Sequence, residues 1–347
     1  MSIIFLPIAW LYGGVLKLRH RLYDWGWFPS KRFELPVICV GNLALGGTGK
    51  TPHVEYLIRL LSESQRVGVV SRGYERKTRG FCQANDHSTA DDIGDEPMQY
   101  HSKFPLIQVA VDENRNEAIA RMLGADNPPQ VVLLDDAFQH RSTEAGLNLL
   151  LTEYGRLYTE DQLVPAGLLR DVRSAAHRAQ LIVVSKCPET LDTTQRDELR
   201  RRLRLQKGQK LFFSSIIYEP LQAVNHTDIT PNRDYNVLCF SGIANPQPLI
   251  EELKRSFKKV TEIRFGDHHR FREKDLTKVL KAFEAIPSQE KILVTTEKDY
   301  ARLRNNPYIC KFESAPLFIQ PIGVRFHEDH EFREAILNYV RENKHHH

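Results

Sequence analysis

A glycine-rich segment constrains the fold of this chain more than any other feature. Residues 41–52 read GNLALGGTGKTP, follow the apolar run 37–40 and precede a predicted helix at 52–62. A strand, a glycine loop and a helix in this order form a phosphate-binding loop, in which backbone N–H groups and a helix N-terminus face phosphate oxygens. We expect Lys50 to neutralise the β- and γ-phosphates of ATP and the Thr51 hydroxyl to ligate Mg²⁺.

The predicted loop departs from the usual pattern at its first glycine, where this chain has Ala44. The pair Gly46–Gly47 is expected to supply the missing backbone freedom. The alternative is a glycine-rich turn without a ligand, which the Gly-Lys-Thr ending disfavours. The residues predicted to bind the nucleotide are Ala44, Leu45, Gly46, Gly47, Thr48, Gly49, Lys50 and Thr51.

Short apolar runs alternate with helical patterns around this loop. Such runs, separated by helices, predict a parallel sheet covered on both faces, and therefore a P-loop NTPase-like α/β fold. The predicted strands are 37–40, 66–70, 106–111, 131–134, 147–151 and 181–185, and the predicted helices are 52–62, 96–100, 114–123 and 192–204.

A second alternating set predicts a smaller α/β domain. Its strands are 237–240, 260–265 and 292–296, and its helices are 248–257 and 274–283. Extended stretches at 210–221 and 317–322 flank it, and we expect them to pair as a two-stranded β linker.

The predicted organisation has four parts. They are an anchor segment 1–30, a P-loop domain 31–221, a smaller α/β domain 222–315, and a return strand with a C-terminal helix 316–344. The polar stretch 76–92 is predicted to be a mobile loop.

The N-terminal residues 3–22 are largely apolar and predict a helix. Pro7, Gly13 and Lys17 interrupt the run, which is too short for the roughly 20 apolar residues of a spanning helix. No basic region precedes it and no small-residue cleavage site follows, so a secretory signal is not indicated. The basic end and the nearby tryptophans favour an anchor lying on a membrane surface. The alternative is a helix packed on its own domain.

Composition sets weak limits on partners. The formal net charge of +4 does not by itself indicate a nucleic-acid-binding surface. The five cysteines are scattered without metal-ligand spacing, which is typical of free thiols in a reducing compartment.

Two acidic segments are candidates for catalysis. The run 131–136 is an apolar strand that ends in Asp135 and Asp136, the arrangement that places a carboxylate beside Thr51 and the metal. Segment 94–97 reads GDEP, and Asp95 or Glu96 could orient or deprotonate an attacking hydroxyl. The alternative for both segments is helix capping, and spacing alone leaves the second one open.

Several polar residues could line the same cleft. Arginine suits bidentate contacts with phosphate, although any single arginine is more often a surface charge. The candidates for substrate binding are Arg72, Arg115, Gln139, His140 and Arg170. In the second domain, segments 241–246, 265–271 and 296–299 are interpreted from sequence alone as polar turns leading into helices.

Together and in this order, the motifs resemble those of the tetraacyldisaccharide 4′-kinase family of lipid A biosynthesis. The resemblance spans nearly the whole chain, and the full set is far more specific than the phosphate loop alone. The matching motifs are GNxxxGGTGKTP at 41–52, SRGY at 71–74, GDEP at 94–97, DDAFQH at 135–140, LRD at 169–171, SGIANP at 241–246, FGDHH at 265–269 and TEKD at 296–299.

The resemblance implies an activity and a location. ATP would phosphorylate the 4′-hydroxyl of an acylated glucosamine disaccharide 1-phosphate, giving lipid IVA, at the cytoplasmic face of the bacterial inner membrane. It also implies two α/β/α lobes joined by a β linker, with the inner-membrane lipid surface and no nucleic acid as partners.

The resemblance also implies residue roles. Asp95 matches the catalytic base, and His268 matches the histidine that assists it, with His269 less favoured. Lys50 and Thr51 match the phosphate and metal residues. The metal-associated acids are Asp135, Asp136 and Glu96, and Arg170 and Arg115 match basic substrate contacts. The chain has Ala137 where the family commonly has glycine, and Asp171 where it often has glutamate, which leaves the role of position 171 open.

Two other function classes compete with the kinase. A membrane-associated P-loop ATPase switch of the partitioning type would carry a signature lysine where this chain has Leu45. A non-catalytic nucleotide-binding scaffold would bind Mg-ATP without turning over an acceptor.

Overall fold

The computed structural model describes residues 3–226 and 228–343 and has a mixed α/β architecture. Its strands are β1 (Val37–Asn42), β2 (Val67–Ser71), β3 (Cys82–Gln83), β4 (Gln108–Val111), β5 (Val131–Asp135), β6 (Leu147–Glu153), β7 (Leu181–Ser185), β8 (Lys210–Tyr218), β9 (Gln222–Ala223), β10 (Asn236–Ser241), β11 (Lys259–Arg264), β12 (Lys291–Thr296), β13 (Leu317–Gln320) and β14 (Ile322–Phe326). Its α-helices are α1 (Leu6–Asp24), α2 (Lys50–Ser62), α3 (Ala90–Ile93), α4 (Asp95–Lys103), α5 (Arg115–Leu123), α6 (Thr193–Leu203), α7 (Gln247–Ser256), α8 (Glu273–Glu284), α9 (Glu297–Leu303) and α10 (Asp329–Glu342).

Nine strands form a large sheet in the order β14-β8-β7-β6-β1-β5-β2-β4-β3. All neighbours are parallel except the two outermost pairs, β14–β8 and β3–β4. The predicted parallel sheet is therefore confirmed. Strand β1, which leads into the glycine loop, lies at its centre between β5 and β6.

The central strands are buried on both faces, as their apolar runs predict. In β1, Val37 and Cys39 join one core cluster, whereas Ile38 and Val40 join the cluster on the opposite face. This alternation follows from the two-residue period of a strand. Helices on both faces thus fix the end of β1, where the loop begins.

A second sheet of five strands has the order β11-β10-β12-β13-β9. Its strands are parallel except for the short β9, and two further core clusters cover its faces. We call the elements of the nine-stranded sheet with their helices the large lobe, and β9–β13 with α7–α9 the small lobe.

The pairing between the lobes differs in detail from the prediction. The first half of β8 pairs with β7, and its second half, 214–218, pairs antiparallel with β14. The stretch 317–322, predicted as one strand, divides at Pro321 into β13 of the small sheet and β14 of the large sheet. Proline has no N–H for a strand ladder, so the chain changes sheets there.

Helix α1 packs on the large lobe by one face only. His20 contacts Asp171 at 2.6 Å, and the Tyr12 hydroxyl donates to the Arg170 carbonyl oxygen at 3.0 Å. A Cβ on Gly13 would lie 2.8 Å from a methyl group of Leu163, so the helix approaches the body closely there. The opposite face exposes large apolar side chains: Ile8, Trp10, Leu11, Val15 and Leu18.

Within the described ranges, none of the helices has the length and apolar character needed to cross a membrane.

Two short elements of the loop region, β3 and α3, were not predicted, whereas the helix expected after the turn at 296–299 is present as α9. The predicted loop 76–92 contains β3 and α3, and its Arg76 contacts Glu113 at 2.7 Å. Helix α9 follows β12 directly, and its signal was present in the sequence. The Thr296 hydroxyl accepts from the backbone N–H of Asp299, which is the Ser/Thr-x-x-acid pattern of a helix N-terminus.

Candidate active site

The glycine loop lies between β1 and α2 and is anchored from two sides. Asn42 Nδ2 donates to Thr48 Oγ1 at 2.8 Å, and Ser185 Oγ donates to the Thr48 carbonyl oxygen at 2.7 Å. Gly46 and Gly49 have φ of 98° and 84°, values that side chains other than glycine rarely adopt. The backbone between the anchors forms an exposed arch at the N-terminus of α2, where an anion is favoured.

The structure explains why Ala44 is compatible with this loop. Ala44 forms an antiparallel bridge with Leu169 and has no positive φ, so its methyl group creates no backbone strain. Leu45 N–H donates to the Leu168 carbonyl oxygen at 2.7 Å. The segment before Arg170 therefore holds the start of the loop in an extended form.

Asp135 and Asp136 end β5 beside this loop but experience different surroundings. Asp136 has φ of 48°, contacts Lys50 Nζ at 3.7 Å and accepts from Arg170 Nη1 at 2.9 Å. Burial acts to raise the pKa of Asp136, but Lys50 and Arg170 hold it below its usual value. Burial, with the like charges of Glu96 and Asp136, raises the pKa of Asp135 to about 7.

These carboxylates fit a Mg²⁺ site of the kind found in nucleotide-dependent enzymes. Asp135 forms no ion pair in the described part of the chain, and burial together with the neighbouring acids disfavours its anion, a state that a divalent cation would relieve. Within residues 3–226 and 228–343, no three His, Cys, Asp or Glu side chains form a complete cage. Mg²⁺ commonly takes one or two carboxylates and completes its shell with water and phosphate oxygens.

Asp95 begins α4 and is held by two side chains of the small lobe. His268 Nδ1 lies 3.2 Å from Asp95 Oδ2, and Arg302 Nε donates to the same oxygen at 2.6 Å. Burial acts to raise the pKa of Asp95, but the contacts with His268 and Arg302 keep it below its usual value. Asp95 is therefore an anion at neutral pH.

The turn before α4 depends on glycine. Gly94 has φ of 93°, and a Cβ there would lie 3.0 Å from the Tyr74 carbonyl oxygen. The SRGY and GDEP segments thus pack backbone to backbone, which brings Tyr74 and Asp95 to one place. The Tyr74 ring in turn makes an edge contact with the ring of His268.

The two adjacent histidines have separate roles. His268 has φ of 53° and faces Asp95, and its pKa is raised chiefly by that hydrogen bond. His269 instead contacts Asp275 at 3.0 Å and stacks on Phe265 within the small lobe. The geometry therefore favours His268 over His269 as the partner of Asp95.

Helix α9 supplies residues that the sequence analysis did not assign to the site. Lys298 Nζ donates to Glu96 Oε1 at 2.7 Å, and Arg302 reaches Asp95. The TEKD motif at 296–299 identified this region, but Arg302 lies beyond the motif. Only the packing of α9 against α4 shows that both side chains cross between the lobes.

The predicted substrate-binding residues are divided among several environments. Arg72 is exposed and forms no hydrogen bond or ion pair within the described ranges, so its guanidinium is available to an anion. Arg115 is buried and donates to the carbonyl oxygens of Asp112 and Glu113. Arg170 is paired with Asp136 and with Asn42.

Gln139 and His140 connect the end of β5 to α1. Gln139 Nε2 donates to the Asn42 carbonyl oxygen at 2.8 Å, and Arg19 of α1 donates to the Gln139 carbonyl oxygen at 2.9 Å. Burial and neighbouring arginines lower the pKa of His140 to about 4, so the ring is neutral at pH 7. A cavity of about 710 Å³ lies beside His140 and is lined by Pro29, Ser30, Lys31, Glu113, Asn114, Asn116, His140 and Ser142.

Comparisons with known proteins agree with this geometry. The family model described as "Tetraacyldisaccharide-1-P 4'-kinase" matches residues 1–341. A tetraacyldisaccharide 4′-kinase of Bacteroides thetaiotaomicron is 42% identical, over 97% of this chain and 93% of that protein. That of Flavobacterium johnsoniae is also 42% identical, over 98% and 97%.

A solved structure extends the likeness to the whole fold. The crystal structure of LpxK from Aquifex aeolicus in complex with ATP matches with a TM-score of 0.74 and 27% sequence identity. The match covers 97% of this chain and 98% of that one. From its motifs, its fold and these relatives, the chain belongs to the tetraacyldisaccharide-1-P 4′-kinase family.

Proposed function

We propose that this protein transfers the γ-phosphate of ATP to the 4′-hydroxyl of a tetraacyldisaccharide 1-phosphate, giving lipid IVA in lipid A biosynthesis. The observation that carries the proposal is the position of Asp95. It is an anionic carboxylate, held by His268 of the other lobe, on the helix that also brings Glu96 to the Asp135 side of the phosphate loop. An acceptor hydroxyl beside a bound nucleotide needs such a group.

The nucleotide would lie with its phosphates in the arch at 44–51. The loop amides and Lys50 would bind the phosphates, and Thr51, Asp135, Asp136 and Glu96 would hold Mg²⁺. The metal would supply charge neutralisation on the transferring group. Because phosphoryl transfer depends mainly on positioning and electrostatics, Lys50 is expected to be indispensable.

Asp95 would accept the proton of the 4′-hydroxyl as the new bond develops. His268 would orient Asp95 by its 3.2 Å contact. The exposed Arg72, together with Gln139, His140, Arg115 and Arg170, would bind the polar part of the acceptor. The cavity beside His140 is lined by Pro29, Ser30 and Lys31 of the segment that follows α1, so an acceptor bound there would contact that segment.

We further propose that α1 lies on the cytoplasmic face of the inner membrane. Its exposed apolar face would enter the lipid boundary, while the exposed Lys17 and Arg21 would face lipid phosphates. Tyr12 and Arg19 bond to the loops that carry Arg170 and Gln139, so the active site would open close to the lipid surface.

Incubation with Mg-ATP and the disaccharide 1-phosphate, followed by mass spectrometry, tests the function. The expected product carries one added phosphate group and fails to form with Lys50→Met, whereas Lys207→Met, a substitution on the exposed loop before β8, leaves product formation unchanged. ATP-dependent dimerisation without phosphate transfer would instead indicate the partitioning-type switch, which no feature of the site favours.

A further inference from the structure

Arg302 of α9 bridges the two lobes with both ends of its guanidinium group. On the small-lobe side, Nη1 donates to the Gly242 carbonyl oxygen at 3.0 Å and to Asp299 Oδ1 at 3.1 Å. On the large-lobe side, Nε and Nη2 both reach Asp95 Oδ2 at 2.6 Å. The side chain is only 6% exposed, so this arrangement is fixed by packing.

The anchor of Arg302 is itself rigid. Asp299 is fully buried, accepts from the N–H of Gly242 at 3.0 Å and contacts the Thr296 hydroxyl at 2.6 Å. The planar guanidinium presents its donors in fixed directions, unlike a lysine ammonium group. The direction in which Arg302 meets Asp95 is therefore set within the small lobe.

The two carboxylate oxygens of Asp95 differ in their contacts. Oδ2 receives Arg302 and lies 3.2 Å from His268 Nδ1, whereas Oδ1 accepts no hydrogen bond from any residue in the described part of the chain. His268 Nδ1 also lies 3.2 Å from Arg302 Nη2. The carboxylate is thus held at one oxygen and leaves the other available.

We propose that Arg302 is a positioning residue for the phosphate transfer: it fixes Asp95 by Oδ2 so that Oδ1 faces the acceptor hydroxyl. This inference rests on the proposed function. Because Arg302 belongs to the small lobe, Asp95 is correctly oriented only while the lobes are together. His268 alone touches Asp95 at one longer contact and leaves rotation of the carboxylate possible.

A cation beside a general base also lowers the basicity of that base. For this reaction the lower basicity of Asp95 is expected to reduce the rate only slightly. The transition state of phosphoryl transfer is largely dissociative, so the nucleophile needs little activation and much alignment. A misplacement of about 1 Å can cost roughly 100-fold in rate. Alignment of Asp95 therefore outweighs a modest loss of basicity.

Two substitutions at this position test the role of Arg302. Arg302→Lys keeps the charge but loses the planar fork, and Arg302→Ala loses both. We expect each to lower kcat by about 10- to 100-fold while KM for ATP stays nearly unchanged. Added guanidinium chloride, below denaturing concentrations, should partly restore Arg302→Ala. Arg304, two residues further on and exposed, provides the matched controls Arg304→Lys and Arg304→Ala.

A double-mutant cycle with Asp95→Asn separates positioning from folding. If Arg302 acts through Asp95, Arg302→Lys should change kcat little once Asp95 is replaced. Additive losses in the double variant, or a loss that only follows a lower Tm, would overturn the proposal. If Arg302→Ala fails to fold, the kcat of Arg302→Lys tests the proposal by itself. An active wild-type protein with unaffected Arg302 variants refutes only this role, whereas a wild-type protein that transfers no phosphate refutes the proposed function itself.

Discussion

At the scale of single residues, Asp135 and Asp136 are adjacent in sequence, but the pKa of Asp135 is raised and that of Asp136 is lowered. Asp136 is paired with Lys50 and Arg170, whereas Asp135 is buried near Glu96 and forms no ion pair with any residue that the structure describes. The sequence left their division of labour open. We infer from these contacts that Asp136 positions Lys50 and Arg170. Asp135 is the carboxylate whose negative charge a bound metal ion would stabilise most.

We predict a pH dependence of stability from Asp135. The pKa of Asp135 is raised to about 7, so its stabilising contribution is fully present below its unfolded pKa of about 4 and is lost as the pH rises through 7. Relative to Asp135→Asn, the metal-free protein should lose Tm between about pH 4 and pH 7. Added Mg²⁺ should oppose this loss, because it binds the deprotonated carboxylate.

Asp136→Asn is the control, because the contribution of Asp136 to stability should change with pH in the opposite direction. The pKa of Asp136 is lowered, so its contribution is present above its unfolded pKa and is lost as the pH falls through the folded value. The wild-type advantage over Asp136→Asn should therefore disappear in acid. Plots of Tm against pH that are parallel for all three proteins, from acid to neutral pH, would contradict both assignments.

Asp95→Asn tests the predicted base directly. Removing the charge while keeping the shape should lower kcat by roughly 10²- to 10⁴-fold, the usual contribution of general-base catalysis. Nucleotide binding, measured by calorimetry with a nonhydrolysable ATP analogue, should be preserved. Asp126→Asn, at an exposed position far along the chain, is the control. A variant that binds nucleotide and turns over normally would exclude Asp95 from the role.

At the scale of elements, α1 has one packed face and one exposed face. One face is packed on the large lobe through Ala9, Gly13 and His20, and Asp171 is fully buried beneath it. The other face leaves Trp10 and Leu11 more than 70% exposed. Burial within its own domain therefore accounts for only part of the apolar pattern, and position 171 serves to attach the helix.

We predict that the exposed face of α1 binds vesicles containing anionic phospholipid. Replacing Trp10 and Leu11 together by glutamate should weaken flotation with such vesicles by about tenfold or more, since each apolar side chain contributes about 1.5–3 kcal/mol when buried. Leu106→Glu, which alters another highly exposed leucine outside α1, should leave flotation unchanged. Equal flotation of all three proteins would argue against the anchor.

At the scale of the whole molecule, α4 and α9 form a charged contact between the lobes. Three ion pairs cross it: Arg302 with Asp95, Lys298 with Glu96, and Glu297 with Lys103. Lys103 also contacts the buried Glu55 of α2, and Glu297 accepts from the N–H of Ile322 at 3.2 Å. The contact thus couples the phosphate-loop helix to the strands that connect the lobes.

Reversing one charge should separate the lobes. In Lys298→Glu a carboxylate would face Glu96 in a half-buried site, where solvent screens the repulsion between the two charges only in part. We expect a larger radius of gyration in small-angle scattering and a lower kcat. Lys254→Glu, on the exposed surface of α7, is the control. An unchanged scattering profile would indicate that the lobes are held by other contacts.

We also predict that the two lobes move closer together when ATP binds. Scattering with and without a nonhydrolysable ATP analogue should differ if the nucleotide draws the lobes closer than the α4–α9 contact already does. Identical profiles would argue against a large closure.

Much of the fold and part of the site could be predicted from local sequence. Apolar runs identified the strands of the parallel sheet because burial on both faces requires uninterrupted Val, Ile and Leu. The expected backbone freedom of the glycine loop is present at Gly46, which has a positive φ, but the second such residue is Gly49 and not Gly47. Asp95 and His268 were named from the family resemblance, and the structure brings them to 3.2 Å.

The sequence by itself determined the elements and the chemistry each could carry, because strand periodicity, helix capping and glycine turns depend on residues a few positions apart. Only the tertiary structure decided which charges meet. Arg302 and Asp95 are 207 residues apart in the chain, and they meet because α9 packs against α4. Such contacts arise from the packing of the two lobes, and no local pattern encodes which side chain will face which.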